Sequence, residues 1–324
     1  MVNPTKIAEP GSFRQILADA MSASGWDAPL WLETTPEETG AAQARQAVLD
    51  GVDLVIAAGG DGTVTACASG VAGSQVPLGI VPAGTGNLLA LNLGIPLDLD
   101  RALEVSLTGE DRQVDLGMAN GRPFVAMAGL GIDARMLRST PEWAKRRFGY
   151  VAYIVGMLRH LRDQPFKVTI EADGGPPRRY RATGVIAGNV GWLQGGVSLL
   201  PDASPDDDLL DLAVLTVHAW VGWLIVAAHV LTGRDAPRVS RGTFRRLVMR
   251  TAEDQLWEMD GEVIGFTREL VIELHDEKVR LRVPPRSRRE LPAVLSEGAP
   301  ESLSAAVPVK GSEAAWFGNA RRAV

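Results

Sequence analysis

Residues 52–63 read VDLVIAAGGDGT, an apolar run that passes directly into a glycine-rich turn. The run is short and rich in aliphatic residues, which is typical of a parallel strand buried on both faces. Glycines at 59, 60 and 62 can take positive φ angles and lack Cβ atoms, so successive amide groups can converge on an anion. Residues 64–71 predict a helix whose N-terminal dipole favours phosphate. The stretch therefore predicts a strand, a phosphate-binding loop and a helix.

Asp61 lies inside this turn, where its carboxylate needs a partner. A negative charge in an anion-binding loop is unfavourable unless it faces a donor or a cation such as Mg²⁺. A second turn, PAGTGN at residues 82–87, follows the next predicted strand and adds the hydroxyl of Thr85 and the amide of Asn87. Taken alone, this second turn also fits a helix start capped by Asn87. Two such turns after adjacent strands predict a cleft for nucleotide phosphates.

The composition limits the classes of partner. The chain has 324 residues, of which 46% are hydrophobic, and a formal net charge of −6, so we expect a sizeable core and no nucleic-acid partner. The single cysteine, Cys67, suits a cytoplasmic location. The N-terminus lacks a signal-peptide pattern, and the most apolar stretch, residues 214–231, is interrupted by polar residues. We expect a soluble or peripherally membrane-associated protein.

Two different patterns of secondary-structure signals predict two domains. Helix-like and strand-like segments alternate at residues 12–24, 29–33, 40–50, 54–58, 64–71, 77–81 and 86–93. This alternation predicts an α/β domain with an open parallel sheet and a ligand at the carboxyl ends of its strands. From about residue 115, short β-branched runs between glycine and charged turns predict a second, mainly antiparallel β-sandwich domain.

The change between these two patterns also gives the domain bounds. We expect a nucleotide-binding domain at residues 1–114 and a β-rich substrate domain at residues 115–283, with a helical insertion at about residues 141–162. The tail, residues 284–324, is rich in Pro, Ser, Glu, Ala and Arg, and we expect it either to dock back onto the first domain or to be disordered.

Further motifs follow one another in a recognisable order. They are Val2-Asn3-Pro4, Thr34-Thr35 with Gly40-Ala41-Ala42, the two glycine turns, Asn120-Gly121 with residues 129–134, Gly188-Asn189, Pro201-Asp202-Ala203 with residues 206–211, and Met259-Asp260-Gly261-Glu262. Over nearly its whole length the chain thus resembles the bacterial diacylglycerol kinase-type lipid kinases, which are related to sphingosine and ceramide kinases. The first glycine turn alone is less specific, since NAD kinases and phosphofructokinases share it.

The resemblance implies a two-domain enzyme that binds ATP in the cleft between its domains. The residues that match the family's nucleotide contacts are Asn3, Thr34, Thr35, Gly59, Gly60, Asp61, Gly62, Thr63, Gly84, Thr85, Gly86 and Asn87. Asp260-Gly261-Glu262 matches the catalytic turn, with Glu262 as the proton acceptor and Asp260 and Asp61 as supporting carboxylates. Phosphoryl transfer needs positioning, charge neutralisation and a carboxylate beside the attacking hydroxyl. Without the upstream turns, Asp-Gly would indicate an ordinary hairpin.

The resemblance also implies a structural Mg²⁺ at residues 206–211, DDDLLD, which we call the acidic segment. Ser204, Asp207 and Leu209, the last through its carbonyl, match the family's metal ligands, and oxygen ligands of this kind suit Mg²⁺. One residue departs from the family's pattern, because Asp208 stands where glycine is usual.

Two other departures lie near the N-terminus. Thr65-Ala66 replaces an asparagine and a glutamate, which removes a carboxylate from the start of the predicted helix. The chain also starts at Met1, where a full first strand is expected, so we expect either a shortened strand or a translation start further upstream.

A segment at residues 143–162 combines Lys145, Arg146, Arg147, Arg159 and Arg162 with tyrosines and aliphatic residues. Such a helix either lies against anionic headgroups or packs on the core with a solvated basic side.

The leading hypothesis is an ATP- and Mg²⁺-dependent lipid kinase that phosphorylates a hydroxyl of a membrane lipid, with diacylglycerol converted to phosphatidic acid as the first candidate. An NAD kinase-type metabolite kinase and a catalytically silent lipid- or nucleotide-binding protein are the alternatives. The partners expected are a membrane lipid and the membrane surface, and the oligomeric state is open between monomer and homodimer.

Overall fold

The computed structural model describes residues 1–7, 9–131, 165–193, 197–216 and 239–285. The helices of these residues are α1 (Pro10–Ala23), α2 (Ala41–Leu49), α3 (Asp61–Val71), α4 (Leu88–Leu93) and α5 (Leu99–Thr108). Their strands are β1 (Val55–Gly59), β2 (Leu78–Pro82), β3 (Glu110–Val114), β4 (Gly117–Ala119), β5 (Arg122–Phe124), β6 (Met127–Gly131), β7 (Phe166–Ala172), β8 (Arg178–Ala182), β9 (Gly184–Gly188), β10 (Trp192–Leu193), β11 (Val197–Ser198), β12 (Leu210–Leu215), β13 (Val239–Phe244), β14 (Arg246–Met259), β15 (Glu262–Leu274) and β16 (Val279–Val283).

The first sheet is the predicted parallel sheet. Its order is β1, β2, β16, β3, in which β1 and β16 both run parallel to β2 and β3 runs antiparallel to β16. The helix after the first glycine turn, α3, packs on β1 and against α2. Gly70 permits this packing, because a Cβ atom there would lie 2.5 Å from the carbonyl oxygen of Ala41. Close packing of α3 fixes the position of the glycine turn at its start.

The second sheet is antiparallel, with the order β13, β12, β9, β6, β14, β15, β4, β5, and β7 with β8 attached beside β14. Its longest hairpin joins β14 to β15 through Asp260 and Gly261. Both residues have positive φ angles, 48° and 82°, as a two-residue hairpin turn of the primed type requires. This turn carries the predicted catalytic carboxylates.

The two sheets share one apolar core. A single cluster of buried side chains includes Val55 and Ile80 from the first sheet and Ile186 and Ala213 from the second. Interiors of this kind are close-packed and resist sliding. The hairpin turn and the glycine turns are therefore held in a fixed relation.

Two sequence-based assignments differ from the structure. Residues 29–33 form no strand and contribute only one parallel bridge, from Glu33 to Val2. The run at residues 269–283, expected wholly in the second domain, divides between β15 in the second sheet and β16 in the first. The chain thus returns to the first sheet before residue 284, because β16 fills the place between β2 and β3.

Three expectations concern residues outside the described ranges. They are the basic helix at residues 143–162, most of the apolar stretch at residues 214–231, and the tail beyond residue 285. Among the helices that the structure does describe, none combines the length and apolarity needed to span a bilayer.

Candidate active site

The two glycine turns lie against each other, as predicted. A Cβ atom at Gly84 would lie 2.6 Å from Cα of Gly60, and one at Gly59 would lie 2.6 Å from Oγ1 of Thr63. The first turn ends at the N-terminus of α3, with extended backbone at Gly60. Glycines 59, 60, 62 and 84 do not have the positive φ angles that the sequence suggested. Gly60 and Gly84 are needed because their backbones approach each other closely, and Gly59 is needed because the Thr63 side chain lies against it. At Gly62 the nearest atom is at an ordinary contact distance.

Asp61 joins the two turns. Its Oδ1 accepts a hydrogen bond of 2.7 Å from the N–H of Leu88, the first residue of α4. The carboxylate thereby occupies the role that the alternative interpretation gave to Asn87. The Asn87 side chain instead accepts from the N–H of Gly84 and donates to its carbonyl oxygen, both at 2.9 Å. The donor that Asp61 needs is therefore supplied by the second turn.

Burial, followed by the negative charge of Asp260, raises the pKa of Asp61 to about 7, against the lowering effect of backbone hydrogen bonds such as that from Leu88. A carboxylate held in this way favours the approach of a cation or a proton.

Asn3 and Thr34 lie beside the first turn. The amide of Asn3 donates to Oγ1 of Thr63 at 3.4 Å, and its backbone N–H donates to Ala58 at the end of β1. Thr34 is buried and is hydrogen-bonded through its backbone N–H to Val2. Thr35 is exposed, and its hydroxyl accepts from the N–H of Glu38. The structure brings Asn3 to Thr63, while Thr35 forms a local turn.

Asp260 is buried and is the first residue of the hairpin turn between β14 and β15. Its carboxylate accepts hydrogen bonds from the N–H groups of Val125, Ala126 and Met127 at 3.0, 2.8 and 3.1 Å. It also accepts from the hydroxyl of Thr65 at 2.5 Å. Burial raises the pKa of Asp260, and these donors oppose that rise. The four bonds occupy the carboxylate, so Asp260 acts on the site by holding the turn.

Glu262 lies at the free side of the same turn and is exposed. A Cβ atom at Gly62 would lie 3.5 Å from its Oε1 and 4.0 Å from its Oε2. The carboxylate thus faces the first turn of α3, where the phosphate-binding amides are expected. The predicted base therefore lies beside the predicted phosphate loop.

Sequence reasoning missed two contributors to this site. Thr65 was seen only as a departure from the family, and its bond to Asp260 spans 195 positions. Glu258 is fully buried, and its Oε2 accepts from the N–H of Gly261 at 3.1 Å. The alternation Glu258, Asp260, Glu262 along a hairpin is a signal that could have drawn attention to it.

The acidic segment lies beside basic side chains of the first sheet. Asp206 pairs with Arg112 at 2.8 Å. Asp208 pairs with Lys278, also at 2.8 Å. Among the described residues Asp207 has no cationic partner, and its Oδ1 accepts from the N–H of Leu209 at 3.2 Å. Burial raises the pKa of Asp207, and neighbouring carboxylates add to the effect.

This arrangement tests the expected metal ligands. The described part of the chain has no group of three or more His, Cys, Asp or Glu residues suited to a metal ion. Asp207 is the single carboxylate among the expected ligands, and the hydroxyl of Ser204 donates to Asp206 at 2.7 Å. One carboxylate with hydroxyl and carbonyl oxygens is a donor set of the type that Mg²⁺ accepts. Asp208 has a φ of 63°, a conformation that glycine adopts freely and aspartate tolerates. The family's glycine at this position is explained by backbone geometry.

An apolar cavity of about 430 Å³ lies between α1, residues 25–32 and β1. None of the predicted site residues lines it.

Substituting Gly84 by alanine is expected to separate the two turns. The new Cβ would meet Cα of Gly60 at 2.6 Å and Oδ1 of Asn87 at 2.9 Å. Overpacking of this kind costs about 1–3 kcal/mol of stability. Because the displaced backbone is also the proposed phosphate site, we expect a similar loss of binding free energy, which is about 5- to 150-fold weaker binding of a non-hydrolysable ATP analogue in calorimetry. Gly11→Ala is the matched control, because nothing lies within 4 Å of a Cβ there. Unchanged nucleotide affinity in Gly84→Ala would contradict the proposed contact.

Comparison with known proteins identifies the family of the chain. Residues 12–119 match the diacylglycerol kinase catalytic domain, and residues 126–282 match the YegS C-terminal NAD kinase beta sandwich-like domain. Lipid kinase YegS of Escherichia coli strain K12 is 32% identical over 243 residues, which cover 72% of this chain and 79% of YegS.

Two further comparisons point the same way. A YegS-like lipid kinase of Klebsiella pneumoniae strain 342 is 30% identical over 240 residues, which cover 72% of this chain and 79% of that protein. The crystal structure of a diacylglycerol kinase from Bacillus anthracis strain Sterne superimposes with a TM-score of 0.69 at 25% identity, covering 88% of this chain and 96% of that one. The resemblance found in the sequence is confirmed: the chain belongs to the lipid kinase family that has a diacylglycerol kinase catalytic domain followed by a YegS C-terminal domain.

Proposed function

We propose that the protein transfers the γ-phosphoryl group of ATP to a hydroxyl of a membrane lipid, with diacylglycerol as the first candidate acceptor and phosphatidic acid as its product. The observation that carries the proposal is the approach of Glu262 to the first turn of α3, where a Cβ atom at Gly62 would lie 3.5 Å from Oε1. The helix dipole favours a carboxylate at this position, and its exposure leaves it accessible to a bound acceptor. It is suited to a reaction between a phosphate and a hydroxyl.

The nucleotide side of the site is the pair of glycine turns. Backbone amides at the start of α3 and the helix dipole attract the triphosphate. Asn3 and Thr63 add an amide and a hydroxyl at the end of β1. Because the turns are joined by Asp61 and by close packing of Gly60 on Gly84, they form a pre-organised surface.

The acceptor side of the site is Glu262. As the oxygen of the lipid hydroxyl forms its bond to the γ-phosphorus, the bond from that phosphorus to the β–γ bridging oxygen breaks, and ADP leaves. The proton of the hydroxyl passes to the Glu262 carboxylate. A base in this position typically contributes about 10²- to 10⁴-fold.

Mg²⁺ belongs to the same proposal, with Ser204, Asp207 and Leu209 as the residues that would hold a structural ion. Such an ion would neutralise the one aspartate of residues 206–208 that has no cationic partner among the described residues. Phosphoryl transfer also commonly uses Mg²⁺ to offset charge on the phosphates.

Chelating Mg²⁺ and replacing Asp207 are each expected to remove the increase in Tm that Mg²⁺ binding produces. In thermal melts, millimolar Mg²⁺ should raise the Tm of the wild type above that measured in EDTA, because binding to the folded state stabilises it. Asp207→Ala should lose this increment. Asp202→Ala, at another exposed aspartate shortly before the acidic segment, is the control and should keep it. An equal Mg²⁺ response in wild type and Asp207→Ala would remove Asp207 from the site.

The choice of diacylglycerol rests on the match to the diacylglycerol kinase catalytic domain. An acceptor in a bilayer also requires contact with the membrane surface, so peripheral association is part of the proposal. The basic segment at residues 143–162 is a candidate for that contact by its composition.

Transfer of labelled phosphate from ATP into a bacterial lipid extract tests the function. We expect one labelled lipid, with mass spectrometry identifying phosphatidic acid. Purified diacylglycerol, sphingosine, ceramide and NAD are tested separately, so that labelling of NAD alone would favour a metabolite kinase. ATP binding without turnover on any acceptor would favour a silent binding protein and reject the proposal.

A further inference from the structure

The hydrogen bond from Thr65 to Asp260 joins the nucleotide-binding helix to the catalytic hairpin. Of the four hydrogen bonds that described residues donate to the Asp260 carboxylate, three come from the backbone of residues 125–127 in its own domain. The fourth comes from Thr65 on α3, at 2.5 Å. It is therefore the one among these that crosses between the domains.

The position of Thr65 on its helix gives this bond its significance. Thr65 follows Asp61 by four residues, so both lie on the same face of α3. Gly62, one residue after Asp61, faces Glu262. Gly62 and Thr65 are three residues apart and lie on one face of the helix. That face meets the hairpin turn at Glu262 through Gly62 and at Asp260 through Thr65.

Burial makes the contact costly to lose. Thr65 is 6% exposed and Asp260 is 5% exposed. A buried hydrogen bond to a carboxylate is stronger than one between two neutral groups. The turn itself has two residues with positive φ angles and is followed directly by Glu262. Tilting the turn about its Asp260 anchor would move the Glu262 carboxylate relative to the phosphate loop.

We propose that Thr65 is a positioning residue, which sets the distance between the phosphate loop and Glu262 by donating its hydroxyl hydrogen to Asp260. The inference rests on the proposed function for its catalytic consequence. It also explains the departure of this chain from the family's asparagine, since a hydroxyl and an amide are both donors. Side chains with a donor at residue 65 should support the reaction, and an isosteric side chain without one should not.

Thr65→Val is the principal variant. We expect kcat for lipid phosphorylation to fall about 10- to 100-fold, because misplacement by about 1 Å can cost about 10²-fold, while KM for ATP changes less than about twofold. Thr65→Ser should recover kcat to within about threefold of wild type. Thr183→Val is the matched control, because Thr183 is also buried and donates its hydroxyl to a backbone carbonyl, that of Leu215, away from the site.

Hydrogen exchange gives a readout that does not depend on turnover. In Thr65→Val, the amides of residues 125–127 and 260–262 should exchange faster than in wild type, while Thr183→Val should leave them unchanged. A kcat of Thr65→Val within twofold of an active wild type, or unchanged exchange at these amides, overturns the inference. A wild type that labels no lipid would instead reject the proposed function, and the exchange measurement alone would then decide whether Thr65 holds the turn.

Discussion

Replacing Glu262 by glutamine is expected to lower kcat for lipid phosphorylation by about 10²- to 10⁴-fold, the usual contribution of a general base. Glutamine keeps the size of the side chain but cannot accept the proton of the attacking hydroxyl. The residue is exposed and lies beside Gly62, so its loss should hardly alter stability. KM for ATP should stay within about twofold, because the amide presents no new charge to the phosphates. Labelled phosphate transfer at saturating ATP measures the effect.

Glu253→Gln is the control for this experiment. Glu253 is also an exposed glutamate of the β14–β15 hairpin. It lies in the middle of β14, several residues before the turn. The control should retain wild-type kcat and Tm. If Glu262→Gln labels lipid as fast as wild type, Glu262 is not the base, and another group must take the proton.

The parts of this site that the sequence predicted are local. A glycine turn between an apolar strand and a helix, and an Asp-Gly hairpin turn, are each specified by residues a few positions apart. β1, α3 and the turn at Asp260 therefore appear where they were expected. Their juxtaposition followed from the order of family motifs and not from spacing.

The parts that the sequence did not predict depend on distant residues. The bond of Thr65 to Asp260 and the bond of Asp61 to Leu88 span 195 and 27 positions, and neither pairing leaves a periodic pattern. The run at residues 29–33 has the composition of a strand, but only Val2 pairs with it, through Glu33. β16 looks like its neighbours in the second sheet, yet it pairs with β2 and β3. Sheet membership is decided by tertiary packing, which overrides local propensity.

Replacing Asp61 by asparagine is expected to stabilise the protein above pH 7 and to impair catalysis. Burial and the charge of Asp260 raise the pKa of Asp61 from 3.8 to about 7 in the folded protein. A difference of that size corresponds to about 4 kcal/mol of unfavourable ionisation. Asparagine removes the charge and keeps an oxygen that can accept from Leu88. Since its amide group needs an acceptor as well, we expect a net gain of about 1–3 kcal/mol, or several degrees in Tm.

The gain should depend on pH in a defined direction. A carboxyl whose pKa is raised by folding binds more protons in the folded state, so the wild type loses stability as pH rises from about 4 to about 7. Below pH 4 both states are protonated and the ionisation penalty is absent; above pH 7 it is fully present. The stabilisation by Asp61→Asn should therefore be largest at pH 8 and small at pH 4.5. Thermal melts across this range measure it, with exposed Asp276→Asn as a control.

Loss of lipid phosphorylation in Asp61→Asn would show that the unfavourable charge of Asp61 serves catalysis. A charged Asp61 costs the empty protein stability, and this cost is offset when a cation or a donor reaches the site, so the wild type should gain more Tm from Mg²⁺ with an ATP analogue than Asp61→Asn does. We expect the variant to be more stable without ligand and less active with it. A gain in stability that is equal at pH 4.5 and pH 8 would mean that ionisation of Asp61 is not its source. Wild-type activity in the variant would mean that the carboxylate serves only to join the two glycine turns.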